Sequence, residues 1–350
     1  MILRAAAAAE QLAILALARA DAVTAFGADG SLSGWEVLSQ QLVTGLSNGM
    51  IIALIAIGYT MVYGIVELIN FAHGDLCMLG AFFALTAVGA FAMDAAAGGA
   101  GGAIGLVALL VATAAFCGAL NWSINRLAYR PLRKASKLSL LVSAIGASFV
   151  LVNVGLFWGG LPMEVFGGGN SAAASKAFPA LVEPKPAFTV GGVIVSRPDV
   201  LVALVTVPLM AALTWLVRFT KLGKAMRAVA QNPTAAALMG IDVERVIGAT
   251  FFIGGALGGF ATVVYAIYNQ TVNFQMGYRM GMDAFIAAVL GGIGNLPGAV
   301  LGGLMIGVVR AMSDGYIEAR WTNSVVFGIL ILILVFRPAG LLGAKLREKV

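Results

Sequence analysis

An all-α polytopic membrane protein with about eight membrane segments, some of them broken or re-entrant, is the fold class this sequence predicts. Three observations carry it. Of 350 residues, 60% are apolar and only 11% charged, whereas a soluble domain has roughly 45–50% apolar and about 25% charged residues. The mean hydropathy is +0.96, and apolar runs near the 20 or so residues that cross a bilayer recur along the chain. The basic residues cluster between or after those runs: five each in 121–137 and 218–245 and four in 337–350, which makes 14 of the 22 Lys and Arg. Lys and Arg resist translocation, so these segments read as cytoplasmic loops, and the charge sets topology rather than a nucleic-acid preference.

Residues 1–36 form an N-terminal tail. Met1 to Ala20 resembles a weak signal peptide with a small-residue site at Ala18-Arg19-Ala20, but Glu10 interrupts its apolar stretch. An interfacial helix or a loose tail is therefore the preferred reading. The membrane body, 37–343, holds apolar runs at 38–64, 74–93, 101–121, 138–160, 199–217, 246–268, 284–313 and 322–336. With the basic segments inside, the N-terminus is external and 344–350 is a cytoplasmic tail. Residues 161–198 become an external loop whose Pro179, Pro184, Pro186 and Gly-Gly pairs predict turns and short strands. The run 284–313 is too long for one upright span and carries Pro297 and Gly298 at its centre, so it enters and returns as two short helices or a re-entrant hairpin. Small-residue pairs at Gly254/Gly258, Gly255/Gly259, Gly294/Gly298, Gly298/Gly302 and Gly303/Gly307 predict close helix contacts.

Two apolar stretches are interrupted, one in each half of the chain, at Glu67–Asp75 and at Gly291–Gly298. Broken helices at membrane depth line cavities rather than face lipid, and paired breaks point to a solute path. The path or gate candidates are Glu67, Asn70, His73 and Asp75 in the first break, and Gly291, Gly294, Asn295 and Pro297 in the second. Glu67 and Asp75 are the only central carboxylates in this reading. Taken singly, each residue also has a plainer role: Asp75 as the cap of a helix beginning near Leu76, His73 as a structural hydrogen-bonder, Asn295 as a turn residue, and Phe71, Phe82 and Phe83 as packing.

Catalytic patterns are missing. With one histidine and two cysteines (Cys77 and Cys117, both in apolar runs) the sequence offers no triad, no HExxH, no metal cage and no phosphate loop. No enzyme activity, cofactor or metal is expected, and any ATP must be hydrolysed by a partner. The candidate dock for that partner is the cytoplasmic segment 218–245. Lys221, Gly223, Lys224 and Arg227 belong to a basic helix. A second short helix is framed by Asn232 as N-cap, Pro233 in the first turn and Gly240 as stop. Ala235, Ala236, Leu238 and Met239 give that helix an apolar face. A helix lying on its own bundle or on the membrane surface is the alternative.

Four stretches then become recognisable in order: Gly58–Ile65 with Ile69–Asp75, Gly240–Val246, Ala287–Ala299, and Arg337–Gly343. Together they resemble the branched-chain amino-acid ABC permeases over roughly 38–343. The resemblance implies one of two homologous permease subunits in the inner membrane, served by two cytoplasmic ABC ATPases and a periplasmic solute-binding protein. It implies that 221–245 is the coupling segment, with Asn232 to Gly240 its short helix, and that the two breaks line or gate the path. Leucine, isoleucine and valine are the implied solutes, with urea or short amides as the alternative within the family. An ion-coupled carrier or a channel is the alternative from another class.

Overall fold

The computed structural model describes residues 34–67, 70–91, 100–133, 135–166 and 171–343. The signal-like stretch, Leu68 and Ile69 of the first break, Lys134 and the tail 344–350 lie outside the described residues. The helices are α1 (Gly34–Val66), α2 (Ala72–Ala90), α3 (Ala100–Ile124, running on through a π turn Asn125–Tyr129 and a 3-10 turn Arg130–Leu132) and α4 (Lys137–Gly159). They continue as α5 (Arg197–Phe219), α6 (Lys221–Gln231), α7 (Pro233–Leu238), α8 (Val243–Asn269), α9 (Met276–Gly291), α10 (Leu296–Tyr316) and α11 (Thr322–Phe336). Among the described residues seven helices are long and apolar enough to cross a membrane, while α9 and α11 are shorter. The expected 284–313 segment is the α9–α10 hairpin, with α9 starting eight residues earlier than the apolar run; the polar residues Arg279 and Asp283 disguised its first turns. Gly34 to Glu36, read as tail, already form the first turn of α1.

Glycine decides how the helices meet. A Cβ on Gly49 would sit 2.8 Å from the Leu304 Cα, one on Gly303 2.4 Å from the Ala53 Cα, and one on Gly307 2.3 Å from the Gly49 Cα. Contacts this short mean that α1 and α10 touch backbone to backbone, antiparallel, where any larger residue would hold them apart. The same device joins α3 to α8, where a Cβ on Gly255 would lie 2.5 Å from the Cys117 carbonyl oxygen and one on Gly259 2.7 Å from the Ala114 Cα. It joins α2 to α9 through Gly74 and Gly281, and α9 to α10 through Gly291, Gly298 and Gly302. Lipid tails are as apolar as leucine, so van der Waals contact and hydrogen bonds, not exclusion of water, hold such helices together.

The core is thus built from α1, α2, α8, α9 and α10. Around it, α3, α4 and α5 turn large apolar side chains outward, among them Val107, Val142, Phe149, Phe157, Leu204 and Trp215. A face of that kind is stable against hydrocarbon and not against water. Residues 161–196 contain the expected turns and short strands. A 3-10 turn spans Glu164–Phe166, β1 (Lys176–Ala177) pairs antiparallel with β4 (Thr271–Val272), and β2 (Pro186–Val190) forms a hairpin with β3 (Val193–Ser196). The hairpin turns on Gly191 and Gly192, with φ of +55° and +83°, the backbone that two-residue turns between twisted strands require. Gln40 of α1 binds both the N–H and the carbonyl of Ile194, at 2.9 and 3.1 Å, which fastens the hairpin to the helix bundle.

Candidate functional site

The second break lies against the last turns of α1, just before the first break. The first opens when α1 ends at Val66 and Glu67 adopts φ +54°. The second opens at Gly292 and Gly294, with φ of +103° and +91°, values that favour glycine. Across the gap a Cβ on Gly64 would lie only 3.6 Å from the Gly294 Cα. Beside this junction lies a cavity of about 480 Å³, within the range of small-molecule sites, about 300–1,000 Å³. Its wall is Thr60, Met61, Gly64 and Ile65 of α1, Thr214, Val217 and Arg218 of α5, Met226, Arg227 and Ala230 of α6, and Ile293 to Pro297 of the second break. One cavity therefore touches the second break, the last turns of α1 that lead into the first break, and the first helix of the basic segment.

The second break is braced by the chain's exit motif. Leu341 N–H donates to the Leu290 carbonyl at 2.8 Å and Leu342 N–H to the Gly291 carbonyl at 3.1 Å. Asn295 caps α10 by accepting from Gly298 N–H at 3.2 Å, and its amide donates to the Leu342 carbonyl at 2.6 Å. Pro297 stands in the first turn of α10, where a missing N–H costs nothing. Gly340, φ +77°, stacks on Gly292, whose Cα would be 2.6 Å from an added Cβ. The turn reading of Asn295 holds, and Gly294, Asn295 and Pro297 also line the cavity. Gly291 does not; it is buried against Gly298.

The first break departs further from the sequence reading. Glu67 is exposed. Asn70 lies outside the cavity wall, buried in a closed network. Its amide donates to Asn121 Oδ1 at 3.0 Å, Tyr129 Oη donates to its carbonyl oxygen at 3.0 Å, and Asn121 donates on to the Phe251 carbonyl at 2.6 Å. The network ties the turn to α3 and α8.

Asp75 does not cap a helix beginning near Leu76. α2 starts at Ala72, so Asp75 lies inside its first turn and accepts a hydrogen bond from Ser148 of α4. His73 is held chiefly by packing, with the Ile55 backbone beside its imidazole. It fills a fully buried slot beside Gly58, Gly254 and Gly258, edge-on to Tyr59 at 4.6 Å between ring centroids. The Ile55 backbone approaches the imidazole without meeting hydrogen-bonding geometry, and neither ring nitrogen has a partner among the described residues. Phe82 and Phe83 pack as expected, Phe83 stacked on Phe116 at 4.5 Å, and Phe71 leans on Phe285.

The basic segment forms a corner and a protruding short helix. Thr220 caps α6 by accepting from Gly223 N–H at 3.1 Å. A Cβ on Gly223 would be 2.2 Å from the Val217 carbonyl, so α6 can turn back under α5 only with glycine there. The Arg227 guanidinium donates to the Val217 and Arg218 carbonyls, covering the last carbonyls of α5, where the helix dipole favours a cation. Lys221 and Lys224 are exposed.

Asn232 caps α7 by accepting from Ala235 N–H at 3.0 Å, Pro233 opens it, and Gly240, φ +82°, ends it. Ala236, expected on the docking face, is instead buried, with 4% exposure. Ala235 stays exposed, and the large side chains outside are Leu238 and Met239, 84% and 82% exposed. At the same end Glu244 pairs with Arg130 at 3.1 Å and Arg133 at 2.5 Å, which fastens α8 to the end of α3.

One charged set escaped the sequence reading, because Asp283 precedes the apolar run and Arg310 falls inside it. Arg310 of α10 pairs with Asp283 of α9 at 2.5 Å and donates to Asn323 of α11 at 2.9 Å. Glu67 and Asp75 are therefore not the only central carboxylates.

Residues 41–335 match the family model described as branched-chain amino acid transport system / permease component. The chain is 40% identical over 314 residues to the high-affinity branched-chain amino acid transport system permease protein BraD of Pseudomonas aeruginosa, covering 89% of this chain and 97% of that one. It is 40% identical over 322 residues to LivH of Escherichia coli K12, a permease protein of the same description, with the same coverage. A shorter match, 30% over 140 residues and 41% of the relative, is to the probable permease protein LivM of Methanocaldococcus jannaschii. No solved structure matches. With the family model spanning most of the chain and these relatives matching nearly end to end, the protein belongs to the permease components of branched-chain amino acid transport systems.

Proposed function

We propose that this chain is one permease subunit of an ATP-driven importer in the bacterial inner membrane and carries leucine, isoleucine and valine. It works beside a second homologous permease, two cytoplasmic ABC ATPases and a periplasmic solute-binding protein. The observation that carries the reading is the cavity in which the second helix break and the end of α1 meet Met226, Arg227 and Ala230 of α6. A push on the α6–α7 corner is thereby a push on the wall of the solute path. The exposed Leu238 and Met239 support docking, because an apolar pair outside the bundle needs a protein cover to leave water. The basic loops support placing α6, α7 and the C-terminus in the cytoplasm and the N-terminus outside. Likeness to both LivH-type and LivM-type chains supports pairing with a related permease.

The test is the double substitution Leu238→Glu/Met239→Glu. Both side chains are exposed, so insertion and folding persist while the ATPases no longer co-purify and leucine uptake is lost. Full uptake and an intact complex in that variant would remove α7 as the dock. Ala236 is unsuitable for this purpose, since its replacement disturbs the chain's own packing.

A further inference from the structure

We propose that Arg279, Asp283, Arg310 and Asn323 form a subsite for the zwitterionic head group of an α-amino acid, at the end of the bundle opposite the basic loops. The proposal rests on the permease reading and adds a place where the solute is held. Asp283 and Arg310 face each other across the α9–α10 hairpin, 14% and 25% exposed, and Asn323 of α11 binds the same guanidinium nitrogen. A pair serving only to join two helices needs one charge of each sign. Here Arg279, one helical turn before Asp283 and exposed, adds a second positive charge within electrostatic reach of the carboxylate. The Arg310 Nε is buried without a hydrogen-bond partner. Tyr265 of α8 lies within electrostatic reach of all three charged groups.

The set thus carries two cations, one carboxylate and an amide, with one positive charge left over. Charges at membrane depth face protein or a water-filled path rather than lipid, so the open side of this cluster marks an aqueous wall. A free amino acid complements it without altering any bond. The α-carboxylate takes the two guanidinium groups, the α-ammonium takes Asp283, and the Asp283–Arg310 pair opens as the solute enters and closes behind it. Such a site reads the head group and leaves the side chain unrestricted, which suits a permease whose solutes differ only in their aliphatic part.

The experiment uses the whole complex in nanodiscs, without binding protein, and follows displacement of tritiated leucine by leucine, by leucinamide (ammonium only) and by 4-methylpentanoate (carboxylate only). In the wild type both half-charged analogues compete roughly ten- to hundredfold more weakly than leucine, the range for losing one charge-assisted hydrogen-bonded contact. Arg279→Gln weakens leucine and 4-methylpentanoate but not leucinamide; Asp283→Asn weakens leucine and leucinamide but not 4-methylpentanoate. A merely structural pair moves all three ligands together, and that result, or no saturable leucine binding by the wild type, overturns the subsite.

Met282→Cys supplies a variant that leaves every charge in place. Cys77 and Cys117 are fully buried, so a membrane-impermeant thiol reagent reports position 282 alone. Labelling slowed by leucine is expected, and a residue that never labels overturns the aqueous wall. Stimulation of ATP hydrolysis by loaded binding protein is read separately. Its absence in the wild type would count against the importer and leave the binding results to judge the subsite.

Discussion

Asn70→Ala separates a structural role for the first break from a role in the solute path. Asn70, Asn121 and Tyr129 are 3%, 0% and 1% exposed, so no water replaces what is removed. The substitution strands the Tyr129 hydroxyl and the Asn121 carbonyl oxygen, the two partners of Asn70. An orphaned buried polar group costs about 1–3 kcal/mol. Hydrogen bonds between membrane helices measure lower, about 0.6 kcal/mol on average and up to about 1.7, because the unfolded chain in the membrane also finds partners. Two groups therefore cost about 2 kcal/mol together, roughly a thirtyfold shift toward the unfolded form. Unfolding in mixed micelles of mild and denaturing detergent, followed by tryptophan fluorescence, measures it. Tyr129→Phe should cost about 1 kcal/mol, and the double variant less than the sum, since both act on one network. Leucine uptake by the surviving Asn70→Ala protein keeps its KM. An unchanged stability with an altered KM would refute the argument and return Asn70 to the path.

Two glycines give sharper steric tests. Gly307→Val sets a Cβ 2.3 Å from the Gly49 Cα; carbon atoms settle near 3.5–4.0 Å, so α1 and α10 must part by about 1.2 Å or more. That costs about 1–3 kcal/mol and lowers the detergent-unfolding midpoint, whereas Gly328→Val, with nothing within 4 Å of its added Cβ, leaves it unchanged. Gly340→Ala combines φ +77° with a 2.6 Å approach to the Gly292 Cα. It lifts the exit motif from the second break, and faster hydrogen exchange at the Leu341 and Leu342 amides is the expected outcome.

Much of the fold was legible because membrane physics writes it plainly. Long apolar runs give the spans within a few residues, as at Thr322–Phe336, where run and helix coincide. Asn232, Pro233 and Gly240 announced α7, since capping and left-handed termination are local and depend on residue type. The start of α9 was missed for the opposite reason. Arg279 and Asp283 lowered its hydropathy, and their compatibility with the bundle depends on Arg310 and Asn323, which stand 27 and more residues away. Ala236 was misjudged because a six-residue helix exposes or buries a face according to what lies beneath it, and periodicity cannot supply that.

The candidate site was legible in its parts and not in its assembly. The second break declared itself through glycine, asparagine and proline, but its meeting with the end of α1 at one cavity follows from α1 and α10 packing backbone to backbone, a contact between residues some 250 positions apart in sequence. His73, Asn70 and Asp75 share one motif yet face three surroundings: a slot beside glycines, a polar network and a serine on α4. Those side chains brace the turn. The backbone of the second break meets the cavity directly, and the exit motif holds it through Leu290, Gly291 and Asn295. Two motifs separated by some forty residues are one device, in which a side chain on Gly340 would run into Gly292 and one on Gly292 into Gly343. The second break thereby rests on the C-terminal segment as well as on α6, so the end of the bundle that carries the basic loops meets the cavity from two sides at once.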